Sequence, residues 1–345
     1  MNLVENLLLL TGAIALFLYG LNLLSGGVKD LAGERMKRLV KSATSNRCGG
    51  VIAGVVCTAI AQSSVATNMI VITFVEKGII SFSSASAVIM GTNIGTTVTA
   101  QLVSLSSVGA FNVSAIGSLI AFIGFILTLS KQGKNGALGR ALLGFGFIFM
   151  GIDLLTMRVE TFKGYLWFNN LFTVKSPLLL LLNGFMITSI LQSSSVVTSV
   201  MTVLASLGLL DFKSSLFLIL GANVGTCLPV IFASFSMSKE SIKSAVFNIA
   251  FNITGCLVFF IPLILFGDWL ESLPVFATSV SRGIANFHTL FNCVVCIVLL
   301  PFLKPFCNFI SKICDKTLFK TQLRAKGKKS NGVNYNEKSR LITNR

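Results

Sequence analysis

The strongest constraint on the fold is a series of long apolar runs separated by short polar segments. The runs fall at residues 3–25, 49–75, 79–103, 108–129, 138–157, 177–206, 207–235, 244–267 and 284–303. About 20 apolar residues in a helix cross the ~30 Å hydrocarbon core of a bilayer. Only 12% of the residues are charged, which is too few to cover a soluble surface. The sequence therefore predicts an all-α polytopic membrane protein.

The basic residues lie beside the apolar runs. The net charge is +16, and of 28 Lys and Arg residues eleven follow Leu303 and six lie between Lys29 and Arg47. Such clusters are typical of cytoplasmic loops and also contact anionic lipid headgroups. They predict a multi-pass protein of the cytoplasmic (inner) membrane with a cytoplasmic C-terminus and no nucleic-acid partner. The first run lacks a basic n-region and a cleavage site, so it is expected to be retained.

An internal repeat organises the chain. Residues 62–100 align with residues 192–230 at a constant offset of 130, and eleven of these 39 positions are identical. The identities include Gln, Asn and Gly, which shared hydrophobicity does not explain, so they indicate a duplication. The basic segments 29–47 and 131–140 are typical of cytoplasmic loops. With these loops in the cytoplasm, the segment that leads into the first copy starts on the cytoplasmic side, and the segment that leads into the second copy starts on the opposite side. This predicts inverted repeats as in many secondary transporters.

The repeats divide the chain into four parts. Residues 1–130 are the first membrane half, 131–268 the second half, 269–303 the final transmembrane helix region, and 304–345 a basic cytoplasmic tail. The polar composition of the tail predicts a short amphipathic helix near 306–319 and disorder beyond it.

One polar motif occurs once in each half, within an apolar run. The first copy is Gln62 to Asn68, and the second is Gln192 to Thr198. The preceding apolar residues place both copies ~18–21 Å into the membrane, where unpaired polar groups are costly. Isolated membrane serines usually bond to their own helix or to a neighbouring one. A duplicated Gln-Ser-Ser cluster instead favours a binding site, carried in each half by a broken or re-entrant helix.

A second motif follows the first in each half. Gly91 to Thr97 reads GTNIGTT, and Gly221 to Cys227 reads GANVGTC. Glycines four residues apart can form a helix-packing face. The intervening Asn and the following Thr are also typical of an unwound turn whose carbonyls and hydroxyls face an ion. We expect the unwound turn, because packing does not require the Asn.

The motifs offer oxygens, amides and the N–H groups of broken helices, and they contain no Lys or Arg. Two opposed helix N-termini supply about one unit of positive charge. That charge is too small for a divalent anion in a low dielectric, so an anion would need cations beside it. Neutral oxygen ligands suit Na+. A neutral solute or a bare cation would satisfy the same oxygens, and the residues alone leave these alternatives open.

The paired Gln-Ser-Ser motifs, each followed by GxNxGT, resemble the sodium/phosphate cotransporter family of type II transporters and bacterial relatives. Residues 285–292 (ANFHTLFN) add to the resemblance, which covers nearly all of residues 1–303. It implies Na+-coupled symport of inorganic phosphate by alternating access. Na+ would be the coupling ion, no other metal or cofactor is expected, and the protein would not be an enzyme. A homodimer is left open.

The resemblance also assigns roles position by position. Phosphate would be bound by Ser63, Ser64, Ser193, Ser194 and Ser195. Sodium would be bound by Gln62, Thr67, Asn93, Thr96, Gln192, Thr198, Asn223 and Thr226. Three positions depart from the family pattern, because Val65 replaces a Ser, Cys227 replaces a Thr, and Asn248 stands where relatives often have His. A PhoU-like domain, common at the end of bacterial relatives, is not expected in this short tail.

Two other classes of function fit the sequence less well. An intramembrane serine enzyme needs a base beside its nucleophile, and the single His of the chain, His288, lies far from both motifs in sequence. A channel needs a continuous polar path, whereas the polar residues concentrate at two points. Transport or conduction of another small anion stays an alternative.

Several further residues carry weaker expectations. His288 is expected to be a satisfied packing residue, and Asp153 to be either a cation ligand or an interfacial residue. The eight cysteines are expected to be small packing residues. Solvated loop charges are expected at Glu76, Lys77, Asp211 and Lys213.

Overall fold

A computed structural model describes residues 3–42, 46–105, 113–129, 133–162, 165 and 174–316. These residues form helices joined by short turns. The helices are α1 (Leu3–Ser42), α2 (Arg47–Ala61), α3 (Ser64–Glu76), α4 (Phe82–Ser104), α5 (Val113–Thr128), α6 (Lys134–Phe162), α7 (Pro177–Leu191), α8 (Ser194–Ser206), α9 (Phe212–Gly225), α10 (Cys227–Ser234), α11 (Lys239–Ser272), α12 (Pro274–Ala277), α13 (Val280–Leu299) and α14 (303–316). The all-α membrane fold predicted from the sequence is confirmed.

Five helical segments of the described chain are long and apolar enough to cross a membrane. They are α1, α6, α11, α13 and the combined segment Phe212–Ser234, which contains α9 and α10. The first helix is longer than its apolar run, because it continues through the basic segment up to Ser42. The predicted amphipathic helix of the tail is observed as α14, and the predicted disorder beyond it lies outside the described residues.

The two copies of the repeat have matching helix boundaries. At the offset of 130 residues, α2 corresponds to α7 and α3 corresponds to α8, residue for residue at both ends. Helix α4 corresponds to α9 and α10 together. The turns between them also match, since Gly78 and Gly208 both adopt positive φ (65° and 71°), a conformation that glycine adopts at no steric cost. The duplication in the sequence is therefore also a duplication of structure.

Within each copy the first two helices form a hairpin. Glycines place α2 directly on α4, so that Val51 lies opposite Gly91 and Val55 opposite Gly95. Since the contacts advance in the same direction along both helices, α2 and α4 are parallel. Helix α3 returns to α4 through the short turn at Gly78 and is antiparallel to it. Helices α2 and α3 therefore run in opposite directions, and the predicted break in this apolar run is confirmed.

The second motif does not unwind as we expected. Residues 91–97 all lie within α4, and Thr226 still donates its N–H to the carbonyl of Ala222 (3.2 Å) where α9 meets α10. A Cβ atom at Gly91 or Gly221 would collide with the backbone carbonyl of Val51 or Leu181. The expectation of an unwound turn was therefore wrong for the first copy, because its glycines are required for close helix packing, and in the second copy the helix is interrupted only at Thr226.

A second helical unit packs beside the hairpins. Helix α1 lies antiparallel to α6, with Gly20 against Gly144 and Gly27 against Ala137 and Ala141. Helix α5 lies on α6 through Gly124 and Gly139. An apolar cluster that includes Phe17, Leu24, Val103, Ile148, Ile152 and Val203 joins this unit to α4 and α8. The predicted four-part division of the chain stays a prediction.

Replacement of a packing glycine provides a test of the parallel α2–α4 contact. We expect Gly91→Ala to lower the free energy of unfolding by about 1–3 kcal/mol, because the added methyl overpacks the backbone of α2. Gly26→Ala is the matched control, since a Cβ there meets no atom within 4 Å, and alanine favours a helix by ~1 kcal/mol over glycine. Thermal unfolding in detergent, followed by circular dichroism, measures both variants. Equal melting temperatures would refute the proposed contact.

Candidate transport site

Each hairpin turns at a glutamine in the left-handed region of backbone space. Gln62 has φ 52° and ψ 22°, and Gln192 has φ 55° and ψ 22°. Their N–H groups donate to the carbonyls of Thr58 and Thr188, at 2.7 Å in both cases. A non-glycine residue in this conformation is strained by about 1–2 kcal/mol. The same strain at both copies of the motif points to a role that glycine does not fill.

A serine begins the second helix of each hairpin. The Ser63 hydroxyl accepts from the N–H of Ala66 (3.2 Å), and the Ser193 hydroxyl accepts from the N–H of Val196 (3.4 Å). The N–H groups of the two residues after each cap have no acceptor within their helix. Ser64, Ser194 and Ser195 are buried, and no hydrogen bond from their hydroxyls to a described residue is observed. Each tip therefore presents free N–H and hydroxyl groups together at the N-terminus of a helix.

The two tips differ in their surroundings. The Gln62 amide donates to the carbonyl of Ala59 (2.6 Å), and its oxygen accepts from the hydroxyl of Thr99 (2.6 Å). Helix α1 also contacts this tip, where the Ser25 hydroxyl donates to the carbonyl of Ala61 (2.6 Å). Gln192 is exposed, and its side chain bonds to no described residue. Pro229 occupies the position that corresponds to Thr99, so the second tip lacks the equivalent hydroxyl.

The predicted sodium ligands outside the tips are buried. The hydroxyls of Thr67, Thr96 and Thr226 donate to backbone carbonyls of their own helices or helix cap. Their oxygens keep lone pairs for a cation, because a hydroxyl both donates and accepts. Thr198 is 0% exposed and its hydroxyl has no partner among the described residues. A cation or a water molecule would satisfy it.

The two asparagines of the second motif have different partners. Asn93 donates to the carbonyl of Ile89 on its own helix (3.0 Å). The Asn223 side-chain oxygen lies 3.2 Å from Nε2 of His288. Both asparagines are less than 10% exposed.

The helices that carry the predicted residues of the two halves contact one another. Helix α4 packs on α8, α3 packs on α10, and α13 contacts α4, α8 and α9. Hydrogen bonds join Gln62 to Thr99 and Asn68 to Thr92 within the first copy. Among the described residues, no hydrogen bond joins the serines of the first tip directly to those of the second.

Sequence reasoning missed several buried polar groups around the motifs. Thr58 and Thr188 are 0% exposed, occupy corresponding positions and have unpartnered hydroxyls. Their identity at the repeat offset was the signal that could have identified them.

Asn252 donates to the sulfur of Cys227 (3.3 Å) and to the carbonyl of Asn248 (2.9 Å). His288 is buried as expected, but it is not satisfied, because its Nδ1 has no partner among the described residues.

Broken helices with free N–H groups inside a multi-pass membrane fold are a construction found in many transport proteins. A profile of the family described as Na+/Pi-cotransporter matches residues 16–157 and 168–270. The chain belongs to this family of transporters.

Individual relatives agree with this assignment. The chain is 28% identical over 326 residues to "Putative inorganic phosphate export protein YjbB" of Escherichia coli K12, covering 93% of the chain and 58% of that relative. It is 28% identical to "Uncharacterized protein YqeW" of Bacillus subtilis over 87% of the chain and 95% of the relative. It is 34% identical over 103 residues to "Sodium-dependent phosphate transport protein 2A" of Rattus norvegicus, covering 29% of the chain and 16% of that protein. No solved structure matches the chain.

Substitution of glycine for the glutamine at each tip tests the described backbone geometry. We expect Gln192→Gly to melt at or above the temperature of the unmodified protein, because glycine relieves the strain and no side-chain bond is lost. Gln62→Gly should be less stable than Gln192→Gly by about 1–3 kcal/mol, since it gains the same strain relief but removes two side-chain hydrogen bonds. The measurement is the melting temperature in detergent, and a large loss of stability in Gln192→Gly would contradict the described geometry.

Proposed function

We propose that the protein is a secondary active transporter that couples Na+ to the movement of inorganic phosphate by alternating access. The observation that carries the proposal is the pair of hairpin tips. Each tip combines two free helix N–H groups with the hydroxyls of buried serines. Helix N-termini of this kind bind phosphate and other oxyanions. The family and the names of its relatives support phosphate as the substrate.

Phosphate would be held by the serines of the two tips. The proposed set is Ser63, Ser64, Ser193, Ser194 and Ser195. Ser63 and Ser193 act mainly as helix caps, so their hydroxyl protons remain available while their oxygens accept. Val65 corresponds to Ser195, which leaves the first tip with one hydroxyl fewer. The second tip therefore has the larger set of donors for the anion.

The need for sodium follows from the charge of the site. Two helix N-termini supply about one unit of positive charge, and the motifs contain no Lys or Arg. A phosphate ion with two negative charges needs further compensation in the membrane interior. The side-chain oxygens of Gln62, Thr67, Asn93, Thr96, Gln192, Thr198, Asn223 and Thr226 are the proposed sodium ligands. Anion and cation would then stabilise each other, which is the basis of coupled transport.

The packing of α1 and α6 supports an inverted arrangement of the two halves. Residues 19–28 in α1 correspond to residues 150–159 in α6 when one gap is allowed. Because Gly20 lies against Gly144 and Gly27 against Ala137, these corresponding helices run in opposite directions. Two copies of one unit that cross the membrane in opposite directions can expose a central site alternately to each side.

Contacts between helix ends support the same arrangement. Glu76 at the end of α3 accepts from the Ser238 N–H (2.7 Å) and from the Ser241 hydroxyl (2.8 Å), both at the start of α11. Lys213 near the start of α9 pairs with Asp268 near the end of α11 (2.7 Å). Since α11 crosses the membrane between these contacts, the starts of α4 and α9 would lie on opposite sides. These two helices occupy corresponding positions in the repeat.

The distribution of charge supports the cytoplasmic assignment of one side. Arg47 donates to the carbonyls of Leu300 and Pro301 at the end of α13, and the basic tail follows directly. An excess of Lys and Arg marks the cytoplasmic side of a membrane protein. We therefore place this side and the C-terminus in the cytoplasm, with the protein in the cytoplasmic membrane. Homodimer formation stays a prediction.

Export is the second candidate for the direction of net flux. The Escherichia coli relative, of which the chain spans about three-fifths, is named for phosphate export, whereas the rat relative is named for sodium-dependent transport. A Na+-coupled symporter moves phosphate down the combined gradients of both ions. The direction of net phosphate flux is therefore determined by the ion gradients and can be measured, whereas the fold does not determine it.

Proteoliposomes provide the direct test of the proposed function. With an inward Na+ gradient, we expect the purified chain to take up radiolabelled phosphate, and uptake should stop when K+ replaces Na+. Preloaded vesicles with an outward Na+ gradient test export in the same preparation. Uptake of phosphate that is indifferent to Na+ would contradict coupling, and no flux in either direction from folded protein would contradict phosphate transport.

Two serines of α8 provide a matched pair of variants. Ser194→Ala removes a hydroxyl that has no partner in the described structure, and we expect it to lower uptake at least about tenfold, as for a lost hydrogen bond to a charged group. Ser199→Ala is the control, because its hydroxyl donates to the carbonyl of Ser195 in its own helix (2.7 Å). The control should transport at close to the normal rate. Equal losses in the two variants would place the site elsewhere.

A further inference from the structure

In the first copy, Thr92 and Asn93 of the second motif have hydrogen-bond partners within that copy. The Thr92 hydroxyl donates to the side-chain oxygen of Asn68 (2.9 Å), which joins α4 to α3. The Asn93 amide donates to the carbonyl of Ile89 (3.0 Å). These groups therefore stabilise the helices of the first half without any ligand.

The second copy has lost both of these arrangements. Thr198 corresponds to Asn68, and Ala222 corresponds to Thr92, so the bond between the two helices cannot form. The Thr198 hydroxyl and the Nδ2 of Asn223 are buried and have no partner among the described residues. An unsatisfied buried donor costs about 1–3 kcal/mol, and a ligand that accepts hydrogen bonds would remove that cost.

His288 determines which end of the Asn223 amide is free. Its Nε2 lies 3.2 Å from the side-chain oxygen of Asn223. Since this oxygen only accepts, Nε2 carries the proton and donates in this arrangement, and Nδ1 of the neutral imidazole is then unprotonated. The NH2 group of Asn223 is turned away from His288. It is buried without a partner among the described residues, so it is available to an acceptor.

Helix α13 holds His288 in a fixed position relative to both halves. The Gln101 amide on α4 donates to Asn286 (3.2 Å) and to Thr289 (3.0 Å) on α13. The Ser281 hydroxyl donates to the carbonyl of Thr202 on α8 (3.2 Å). His288 itself is 0% exposed. A residue held so firmly is suited to orient a neighbouring amide.

We propose that His288 is a positioning residue that turns the NH2 group of Asn223 into the second half of the site, where it donates to an oxygen of the transported oxyanion. Asn223 would then bind phosphate instead of sodium, which replaces the sodium role given to it from the sequence and in the proposed set of sodium ligands above. The first half has no equivalent, because Asn93 is bound to its own helix. The inference rests on the proposed function, since it assigns a role within the same site.

Separate titrations of the two ions test this role. Purified protein in detergent is titrated with NaCl without phosphate, at an ionic strength kept constant with choline chloride. It is then titrated with phosphate at saturating NaCl, and the shift in melting temperature gives each apparent affinity. For His288→Phe, which removes the donor and keeps an aromatic ring, we expect about a tenfold loss of phosphate affinity. The affinity for Na+ alone should change by less than about twofold.

Two further variants complete the comparison. His288→Gln supplies an amide donor in place of Nε2 and should keep phosphate affinity within about threefold. Asn292→Leu is the control, because the Asn292 amide lies one turn further along α13 and donates only to the carbonyl of His288 (2.9 Å). This control should bind both ions with normal affinity. A purely structural role of His288 predicts the opposite order, with Phe tolerated better than Gln.

Three results would overturn the inference. They are normal phosphate affinity in His288→Phe, a tenfold loss in His288→Gln, or a loss of Na+ affinity with phosphate affinity unchanged. The last result would indicate that Asn223 binds Na+ and not phosphate. Should His288→Phe fail to fold, His288→Gln together with Asn223→Leu decides, because only the second of these should lose phosphate affinity. Failure of the proposed function is distinct, since the unmodified protein would then show no stabilisation by phosphate in Na+.

Discussion

The structure depends on one constraint, which is that a helix interrupted inside a membrane leaves backbone N–H groups without water to satisfy them. The two Gln-Ser turns meet this constraint only in part. Each serine cap satisfies one N–H group of the following helix, and the neighbouring N–H groups remain open. An anion is the natural partner for such groups. The break in the helix, its position in the membrane and the chemistry of the ligand are therefore aspects of one arrangement.

Around the tips, the two halves meet this constraint in different ways. The first tip is held by Thr99 and by helix α1, and Asn68 is paired with Thr92 within the half. At the second tip Gln192 is exposed, and the buried Thr198 hydroxyl and Asn223 NH2 group have no partner among the described residues. Duplication thus supplied two similar frames, and later substitutions at a few positions left more buried polar groups of the second frame without a partner among the described residues.

Much of this arrangement could be predicted from the sequence. Apolar run lengths and the repeat gave the membrane helices, the matching halves and the break at Gln62 and Gln192, because these features depend on local composition. The state of GTNIGTT could not be predicted, since the same glycines suit a packed helix and an unwound turn, and only the parallel partner α2 decides between them. The role of His288 also required the fold, because its partner Asn223 is 65 residues away in the chain.

The glycine contacts between α2 and α4, and between α7 and α9, join backbone to backbone. A contact of this kind depends on the absence of side chains at a few positions and is insensitive to the identity of residues on the remaining faces. Homologous chains can therefore exchange the groups that meet the solute while the frame that carries them persists. A change of solute would therefore require substitutions at the groups that contact it and none in the glycine contacts, which makes this scaffold readily evolvable.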